Sequence, residues 1–156
     1  MTTAEVARAL DEKHLAYELI PHSHTERATE EAAALGVRLA EVGKTIVLTG
    51  PKGYVRAVLP ASERLDLHKV REHYGGSKEI RLATEAELVG AYPTFELGAV
   101  PPFGGPPGDK VIVDRRIADR ESIILEAGTH EQSLRVKTAD LLSLTEAEIA
   151  DICLDE

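Results

Sequence analysis

The segment GKTIVLTGPKGYVRAVLP, residues 43–60, places the strongest constraint on what this chain can fold into. Two runs rich in β-branched and apolar residues flank the sequence GPKG at 50–53, and glycine and proline favour a tight turn there. We therefore predict an antiparallel hairpin. Because side chains alternate along a strand, Lys44, Ile46 and Leu48 share one face of the first strand.

Helical and strand patterns alternate along the rest of the chain. We predict helices at TTAEVARALDEK, ATEEAAALG, DLHKVREHYG, TEAELVGAY, TADLLSL and TEAEIADIC. Further strands are predicted at YELIPHS, IRLA, KVIVDRRI, SIILEAG and SLRVKT. This order favours a mixed α/β fold, with a curved or barrel-like sheet flanked by helices. At 156 residues we expect a single domain, residues 1–156.

Composition and charge limit the partners of the chain. With a net charge of −9 the chain as a whole repels nucleic acid, which argues against sequence-blind binding to DNA or RNA. Recognition of one end of an RNA through a local cluster of charges is still compatible with this charge, because salt screens charges over about 10 Å. No run approaches the roughly eighteen apolar residues of a membrane span, and the first residues form a polar helical pattern. We expect a cytoplasmic protein. The single cysteine, Cys153, excludes an internal disulfide.

The lysine of GKT, residues 43–45, admits two interpretations. GKT is similar to the end of a phosphate-binding loop, but Arg38 stands where that motif needs a glycine and a strand follows instead of a helix. Lys44 facing solvent would be an ordinary edge-strand charge. Facing a cavity, it would bind a carbonyl, carboxylate or phosphate oxygen, or act as a nucleophile if its pKa fell.

Three histidines raise the hypothesis of a metal site. His22 and His24 would project to the same face of a strand, and His130 is a third candidate ligand. No His-Glu-x-x-His pattern completes the set, and polar or substrate-facing histidines are the alternative. A serine nucleophile is not favoured, because the chain lacks a Gly-x-Ser-x-Gly turn.

The segment GAVPPFGGPPGDK, residues 98–110, holds four of the twelve glycines and four of the eight prolines. Glycines let backbone N–H groups approach a ligand closely, while prolines fix φ. Such a loop can present N–H donors to a carbonyl or an oxyanion. The alternative is a rigid surface turn.

Three motifs taken together carry a resemblance to a known family. They are GKTIVL with Lys44, then Gly98-x-x-x-Pro102 followed by Phe103-Gly104, then Ala127-Gly128 with Leu134. From about His22 to about Leu142 the chain resembles the YbaK/ProX (YbaK/EbsC) aminoacyl-tRNA deacylases, relatives of the editing insertion domain of bacterial prolyl-tRNA synthetases. The resemblance implies a distorted barrel flanked by helices. It also implies hydrolysis of the ester that joins a wrong amino acid to tRNA, with Ala- or Cys-tRNA(Pro) as candidate substrates.

The same resemblance assigns roles to individual residues. It implies that Lys44 is the catalytic residue of the pocket and that the Gly98 to Gly104 loop closes over the ester. The implied substrate-binding residues are Thr45, Gly98, Pro102, Phe103, Gly104 and Gly128, with His24 and His130 as looser matches. Water or a ribose hydroxyl would be the nucleophile, so neither a metal nor a cofactor is expected. The implied partner is the acceptor end of aminoacyl-tRNA, with an aminoacyl-tRNA synthetase as a candidate.

Two departures and two alternatives accompany this hypothesis. Pro101 precedes the matching proline, and residues 105–108 form a second Gly/Pro cluster, so we expect the rim of the loop to differ from that of relatives. One alternative is a non-catalytic module of the same fold that binds aminoacyl-tRNA or a synthetase. The other is a metal-dependent hydrolase using His22, His24 and His130.

Overall fold

The computed structural model describes residues 2–25, 28–104 and 108–155, and within them the side chains of all but residues 2–5, 28 and 29. The α-helices of the described chain are α1 (Thr2–Glu12), α2 (Ala28–Leu35), α3 (Leu67–His73), α4 (Glu85–Ala91), α5 (Arg115–Ala118) and α6 (Thr138–Thr145). A 3-10 turn covers Leu39–Glu41. None of the described helices is long and apolar enough to cross a membrane.

The strands form two sheets. Their bounds are β1 (Tyr17–Pro21), β2 (Gly43–Gly50), β3 (Gly53–Pro60), β4 (Arg81–Leu82), β5 (Lys110–Asp114), β6 (Ser122–Glu126), β7 (Gln132–Lys137) and β8 (Glu148–Ala150). One sheet has the order β1-β7-β6 and the other β4-β2-β3-β5-β8. An isolated bridge between Val42 and Ile124 joins them at one corner. The predicted mixed α/β fold is confirmed, although the strands form two open sheets instead of a closed barrel.

The predicted hairpin is confirmed in full register. β2 and β3 pair antiparallel from Gly43 opposite Pro60 to Gly50 opposite Gly53. Gly53 has a φ of +118°, a conformation that glycine adopts without steric cost. The turn chemistry seen in the sequence therefore fixes the pairing of the two central strands.

Side-chain alternation divides the apolar residues between two sides of the five-stranded sheet. Val47 and Val58 join the largest core, to which the three-stranded sheet contributes Leu125 and Leu134. On the opposite side, Leu48, Leu59 and other residues pack against Val70 of α3. Burial of this apolar surface, at about 25 cal/mol per Å², holds the layers together.

Two predicted elements are wrong in the C-terminal third. The strand predicted for KVIVDRRI ends at Asp114, whose carboxylate accepts the amide of Arg116 at 2.9 Å and caps α5. The helix predicted for TEAEIADIC is absent: α6 ends at Thr145, Glu146 has a φ of +52°, and β8 pairs parallel with β5. Strand pairing and the burial of Ile152 outweigh the local helix propensity here.

Candidate active site

An interrupted strand edge defines the candidate site. Val42 is bridged to Ile124 at one end of this edge, and Leu48 and Thr49 pair with β4 at the other. The Val47 carbonyl also accepts the Ala83 amide at 3.0 Å, while Gly43 to Ile46 have no strand partner on this edge within the described chain. A cleft of about 270 Å³, here called the edge cleft, opens beside it. Its lining consists of Thr45, Ile46, Val47, Leu82, Ala83, Leu88, Gly98 and Val100.

Local sequence explains how α4 comes to wall this cleft. The Thr84 hydroxyl accepts the Glu87 amide at 3.2 Å, and the Glu87 carboxylate accepts the Thr84 amide at 2.9 Å. This reciprocal pair satisfies amides at the start of α4 that have no helical partner. The helix therefore begins close to β4 and places Leu88 against the cleft.

The structure brings Thr45 and Gly98 together in the edge cleft, while the Lys44 side chain leaves β2 on the opposite face. That face is shared with Ile46 and Leu48. Lys44 is half-buried and forms no hydrogen bond or ion pair with any residue that the structure describes. Its pKa is lowered, mainly by burial; Arg64 adds to the lowering, and the negative charge of Glu63 opposes it. Lys44 is thus a desolvated cation at the interrupted strand edge.

The predicted glycine-proline loop is docked onto the connection between β6 and β7. The Glu96 amide donates to the Gly128 carbonyl at 2.9 Å, and the Gly128 amide donates to the Ala99 carbonyl at 3.1 Å. Gly98 has a φ of +81° and Gly128 a φ of +92°, so both positions favour glycine. Gly128, a residue implied to bind substrate, therefore anchors the loop.

Two backbone amides of the loop are available for a ligand. The Ala99 amide donates to the Glu96 carbonyl at 3.0 Å. The amides on either side of it, those of Gly98 and Val100, donate to no described residue, and both residues line the edge cleft. Gly98 is exposed, so its amide is open to solvent or a ligand, whereas Val100 is buried and its amide requires an acceptor. This pair of donors suits an oxygen that carries negative charge.

Arg56 on β3 holds the second half of the loop. Its guanidinium donates to the carbonyl oxygens of Pro101 at 2.9 Å and Gly104 at 2.8 Å, and to the Asp109 carboxylate at 2.9 Å. The Tyr92 phenol donates to the same carboxylate. Burial is the main reason that the pKa of Tyr92 is raised, so this phenol stays protonated. Sequence reasoning missed Arg56, whose one signal is an arginine inside an apolar strand.

His130 supports the first half of the loop from behind. It is 6% exposed, and its Nε2 lies 2.5 Å from the Leu97 carbonyl, to which it donates. The His130 amide donates to the Glu96 carboxylate at 3.2 Å. A Cβ on Gly98 would lie 3.4 Å from His130 Cε1. The His24 ring packs edge-on, with ring centroids 5.5 Å apart. His130 therefore shapes the loop that lines the cleft.

The other residues implied to bind substrate lie on the far side of the loop. Phe103 belongs to the largest core, and Pro102 is buried. Together with Gly104, which has a φ of +79°, they border an opening beside Arg56 rather than the edge cleft. Residues 105–107 of the second Gly/Pro cluster lie outside the described residues.

A buried carboxyl cluster, consisting of His22, Glu31, Glu126 and Ser133, lies beneath α2. His22 Nε2 is 2.9 Å from Ser133 Oγ, and the Ser133 hydroxyl donates to Glu31. The pKa of Glu126 is raised well above its ordinary value, first by burial and then by the neighbouring Glu31 carboxyl. Ser133 and Glu31 are fully buried, so this serine cannot meet a substrate. Sequence reasoning did not identify this cluster.

The histidines of the metal hypothesis have other contacts. His22 contacts Ser133, and His24 Nδ1 lies 3.8 Å from the Glu131 carboxylate. Across the described part of the chain, no three or more His, Cys, Asp or Glu side chains are grouped so that they could hold a metal ion.

Comparisons with known proteins agree with the predicted resemblance. Residues 22–144 match the family described as "Aminoacyl-tRNA editing domain". The chain is 26% identical over 156 residues to the Multifunctional Ser/Thr-tRNA deacylase ProXp-y of Escherichia coli (strain K12), covering 97% of this chain and 92% of that protein. It is 28% identical over 130 residues to EbsC of Enterococcus faecalis, a candidate Cys-tRNA(Pro)/Cys-tRNA(Cys) deacylase, covering 83% and 78%.

A solved structure shows the same fold. The crystal structure of a candidate trans-editing enzyme for prolyl-tRNA synthetase superimposes with a TM-score of 0.86 at 29% identity, covering 99% of this chain and 98% of that one. The family match, in turn, spans well over half of the chain, from His22, directly after β1, to Leu144 in the last turn of α6. The chain therefore belongs to the family of aminoacyl-tRNA editing domains.

Proposed function

We propose that this protein is a trans-editing deacylase that hydrolyses the ester between a small, wrongly attached amino acid and its tRNA. The observation that carries the proposal is the pair of free amides at Gly98 and Val100 beside the edge cleft. Ester hydrolysis passes through a tetrahedral oxyanion, and each well-placed donor contributes about 10² to 10³ in rate. The docked loop supplies such donors without a metal or a charged side chain.

The lining of the cleft suits a small aminoacyl group that is apolar or carries a hydroxyl or thiol. The walls at Val47, Leu88 and Val100 are apolar, and Thr45 adds one hydroxyl within about 270 Å³. Alanine, cysteine, serine and threonine fit this description, which includes the amino acids in the names of both curated relatives. Ala- and Cys-tRNA(Pro) remain our candidate substrates. A synthetase that mischarges tRNA in the cytoplasm supplies such a substrate and is the partner that we propose.

Lys44 and a water molecule complete the mechanism that we propose. The Lys44 cation attracts the negatively charged terminal nucleotide to the strand edge, so that the ester carbonyl meets the Gly98 and Val100 amides. The water oxygen attacks the carbonyl carbon and forms the new C–O bond. The bond from that carbon to the ribose oxygen then breaks, and the ribose oxygen takes up the proton released by water. The products are a free amino acid and tRNA.

A deacylation panel tests this function. tRNAs charged with alanine, cysteine, serine, threonine and proline are incubated with the protein, and ester loss is followed over time against a buffer blank. We expect at least one small aminoacyl-tRNA to be cleaved well above the blank. Binding of charged tRNA without any ester loss would favour the non-catalytic module, and no cleavage of any substrate would refute the enzyme. Elemental analysis of the active protein separates this mechanism from the metal-dependent alternative.

A further inference from the structure

A second cavity lies at the tip of the β2–β3 hairpin, away from the edge cleft. It has a volume of about 130 Å³, several times the roughly 30 Å³ that one water molecule occupies in the liquid. We call it the hairpin cavity, and the polar side chains that line it are Lys52, Tyr54, Tyr74, Ser77 and Lys110. No carboxylate is among its lining residues, although the chain carries 27 Asp and Glu residues.

Two lysines give this cavity a positive charge. Lys52 and Lys110 are exposed, and neither forms an ion pair with a residue that the structure describes. Lys110 Nζ lies 5.7 Å from the centroid of the Tyr74 ring, a cation–π contact that holds the ammonium beside the cavity. In a chain with a net charge of −9, two cations without an ion pair in the described residues give this cavity a local positive potential that favours an anion.

Two hydroxyl groups of residues that line this cavity are candidate hydrogen-bond donors. The Tyr74 hydroxyl is buried and has no hydrogen-bond partner within the described chain. Its pKa is raised to about 12, mainly by burial with a contribution from Glu148, so it carries its proton at neutral pH. Glu148 itself pairs with His73. Ser77 adds a second, half-buried hydroxyl. An orphaned buried donor of this kind is costly unless a ligand accepts from it.

We infer that the hairpin cavity binds a backbone phosphate of the tRNA whose ester reaches the edge cleft, an inference that rests on the proposed function. A phosphate group matches two cations and two hydroxyl donors, and lysine binds phosphate as a point charge. Gly50 of the cavity follows Thr45 of the cleft by five positions on β2, or roughly 17 Å at about 3.3 Å per residue. One rigid strand thus links the two sites, and a single acceptor arm spans them.

The test compares two matched double variants. Lys52→Ala/Lys110→Ala removes the cations of the cavity, and Lys13→Ala/Lys137→Ala removes two exposed lysines elsewhere. We expect the cavity variant to raise KM for aminoacyl-tRNA about tenfold with kcat unchanged. The slope of log affinity against log salt for uncharged tRNA should fall by about 0.7 to 0.9 per lost phosphate contact. Cleavage of an aminoacyl ester of adenosine, which lacks phosphates, should stay at the wild-type rate.

Other variants and probes separate the possible outcomes. Tyr74→Phe keeps the ring and removes the hydroxyl, so a two- to fivefold rise in KM for tRNA supports direct contact. An unchanged KM and salt slope in the cavity variant, or an equal change in the Lys13/Lys137 control, overturns the site. If inorganic phosphate binds the wild type but not the cavity variant while the KM for tRNA is unaffected, the cavity holds free phosphate and the RNA inference is refuted. Because uncharged tRNA suffices for the salt slope, the site can be judged even if no ester is cleaved.

Discussion

Arg56 and Asp109 form an ion pair at 2.9 Å in which the arginine side chain is 2% exposed and the carboxylate 12% exposed. The remaining guanidinium nitrogens bind the carbonyl oxygens of Pro101 and Gly104. The Arg56 side chain therefore fixes the loop at three points, Pro101, Gly104 and Asp109, all of which follow the Gly98 and Val100 amides in the chain. The shape of the candidate oxyanion site depends on this contact, because Val100 directly precedes the first of those points.

Replacing Arg56 should weaken both the fold and the activity. Lysine keeps the charge but lacks the planar fork that serves three acceptors at once. Removing one partner of a buried pair costs about 3–5 kcal/mol, so we expect a loss of this size for Arg56→Met and a smaller loss for Arg56→Lys. For Arg56→Lys, kcat should fall about tenfold or more in protein that remains folded. Urea unfolding and steady-state deacylation measure the two effects.

The matched control is Arg135→Lys, since Arg135 forms an exposed pair with Glu18 at 3.5 Å. Exposed pairs contribute about 0–1 kcal/mol, so this variant should be near wild type in both measurements. A wild-type kcat in Arg56→Lys would contradict the prediction, because it would show that the loop keeps its shape without the Arg56 guanidinium.

The central part of the fold could be predicted because its signals are local. The GPKG turn between two apolar runs specifies β2 and β3, and Asp66, whose carboxylate accepts the His68 amide at 3.0 Å, caps α3 where the helix was predicted. β8 could not be predicted in this way. Its stability comes from pairing with β5, which is more than thirty residues earlier in the chain, and from the burial of Ile152.

The candidate site could likewise be predicted only where its signals are local. The sequence singles out Lys44 and the glycine-proline loop by residue type, and the resemblance joins them. The contacts between Arg56 and the loop could not be predicted, since Arg56 is 45, 48 and 53 residues from its three acceptors. The Ser133–Glu31 contact joins residues 102 positions apart. Such contacts depend on how the two sheets are placed, which no short pattern specifies.

Gly98→Ala should abolish most of the activity. An alanine at a φ of +81° costs about 1–2 kcal/mol, and its Cβ would be in close van der Waals contact with His130 Cε1 at 3.4 Å. Relief of the backbone strain at this φ moves the Gly98 amide away from the cleft, and the loss of one donor predicts about a 10²-fold fall in kcat. Gly36→Ala is the control, since Gly36 has a φ of +70° and open space around it. Both variants should lose similar stability, and only Gly98→Ala should lose rate; equal kcat values would refute the amide assignment.

Glu126 should make the protein less stable as the pH rises. Its pKa in the folded state is raised from 4.5 by burial and by Glu31, so between pH 4.5 and the raised value the folded state holds a proton that the unfolded state has released. The free energy of unfolding then falls with pH, by at most about 1.4 kcal/mol per unit. Glu126→Gln keeps the shape of the protonated carboxyl and should flatten this dependence above pH 5. Urea unfolding across pH 5 to 9 measures it, and parallel curves for the two proteins would contradict the prediction.

Lys44→Met should separate stability from activity. Lys44 is a desolvated cation without an ion pair in the described chain, so methionine, of similar length and without charge, should leave the protein at least as stable at neutral pH. Because the folded-state pKa of Lys44 is lowered, its destabilising effect fades as the pH rises through that pKa, and the two proteins should converge in alkali.

Deacylation by Lys44→Met should nevertheless fall at least tenfold if the cation holds the terminal nucleotide. Lys44→Arg retains charge at every accessible pH. After subtraction of the uncatalysed hydrolysis, its pH–rate profile should lack the alkaline decline of the wild type. Full activity in Lys44→Met would remove Lys44 from the mechanism and leave the Gly98 and Val100 amides to bind the ester alone.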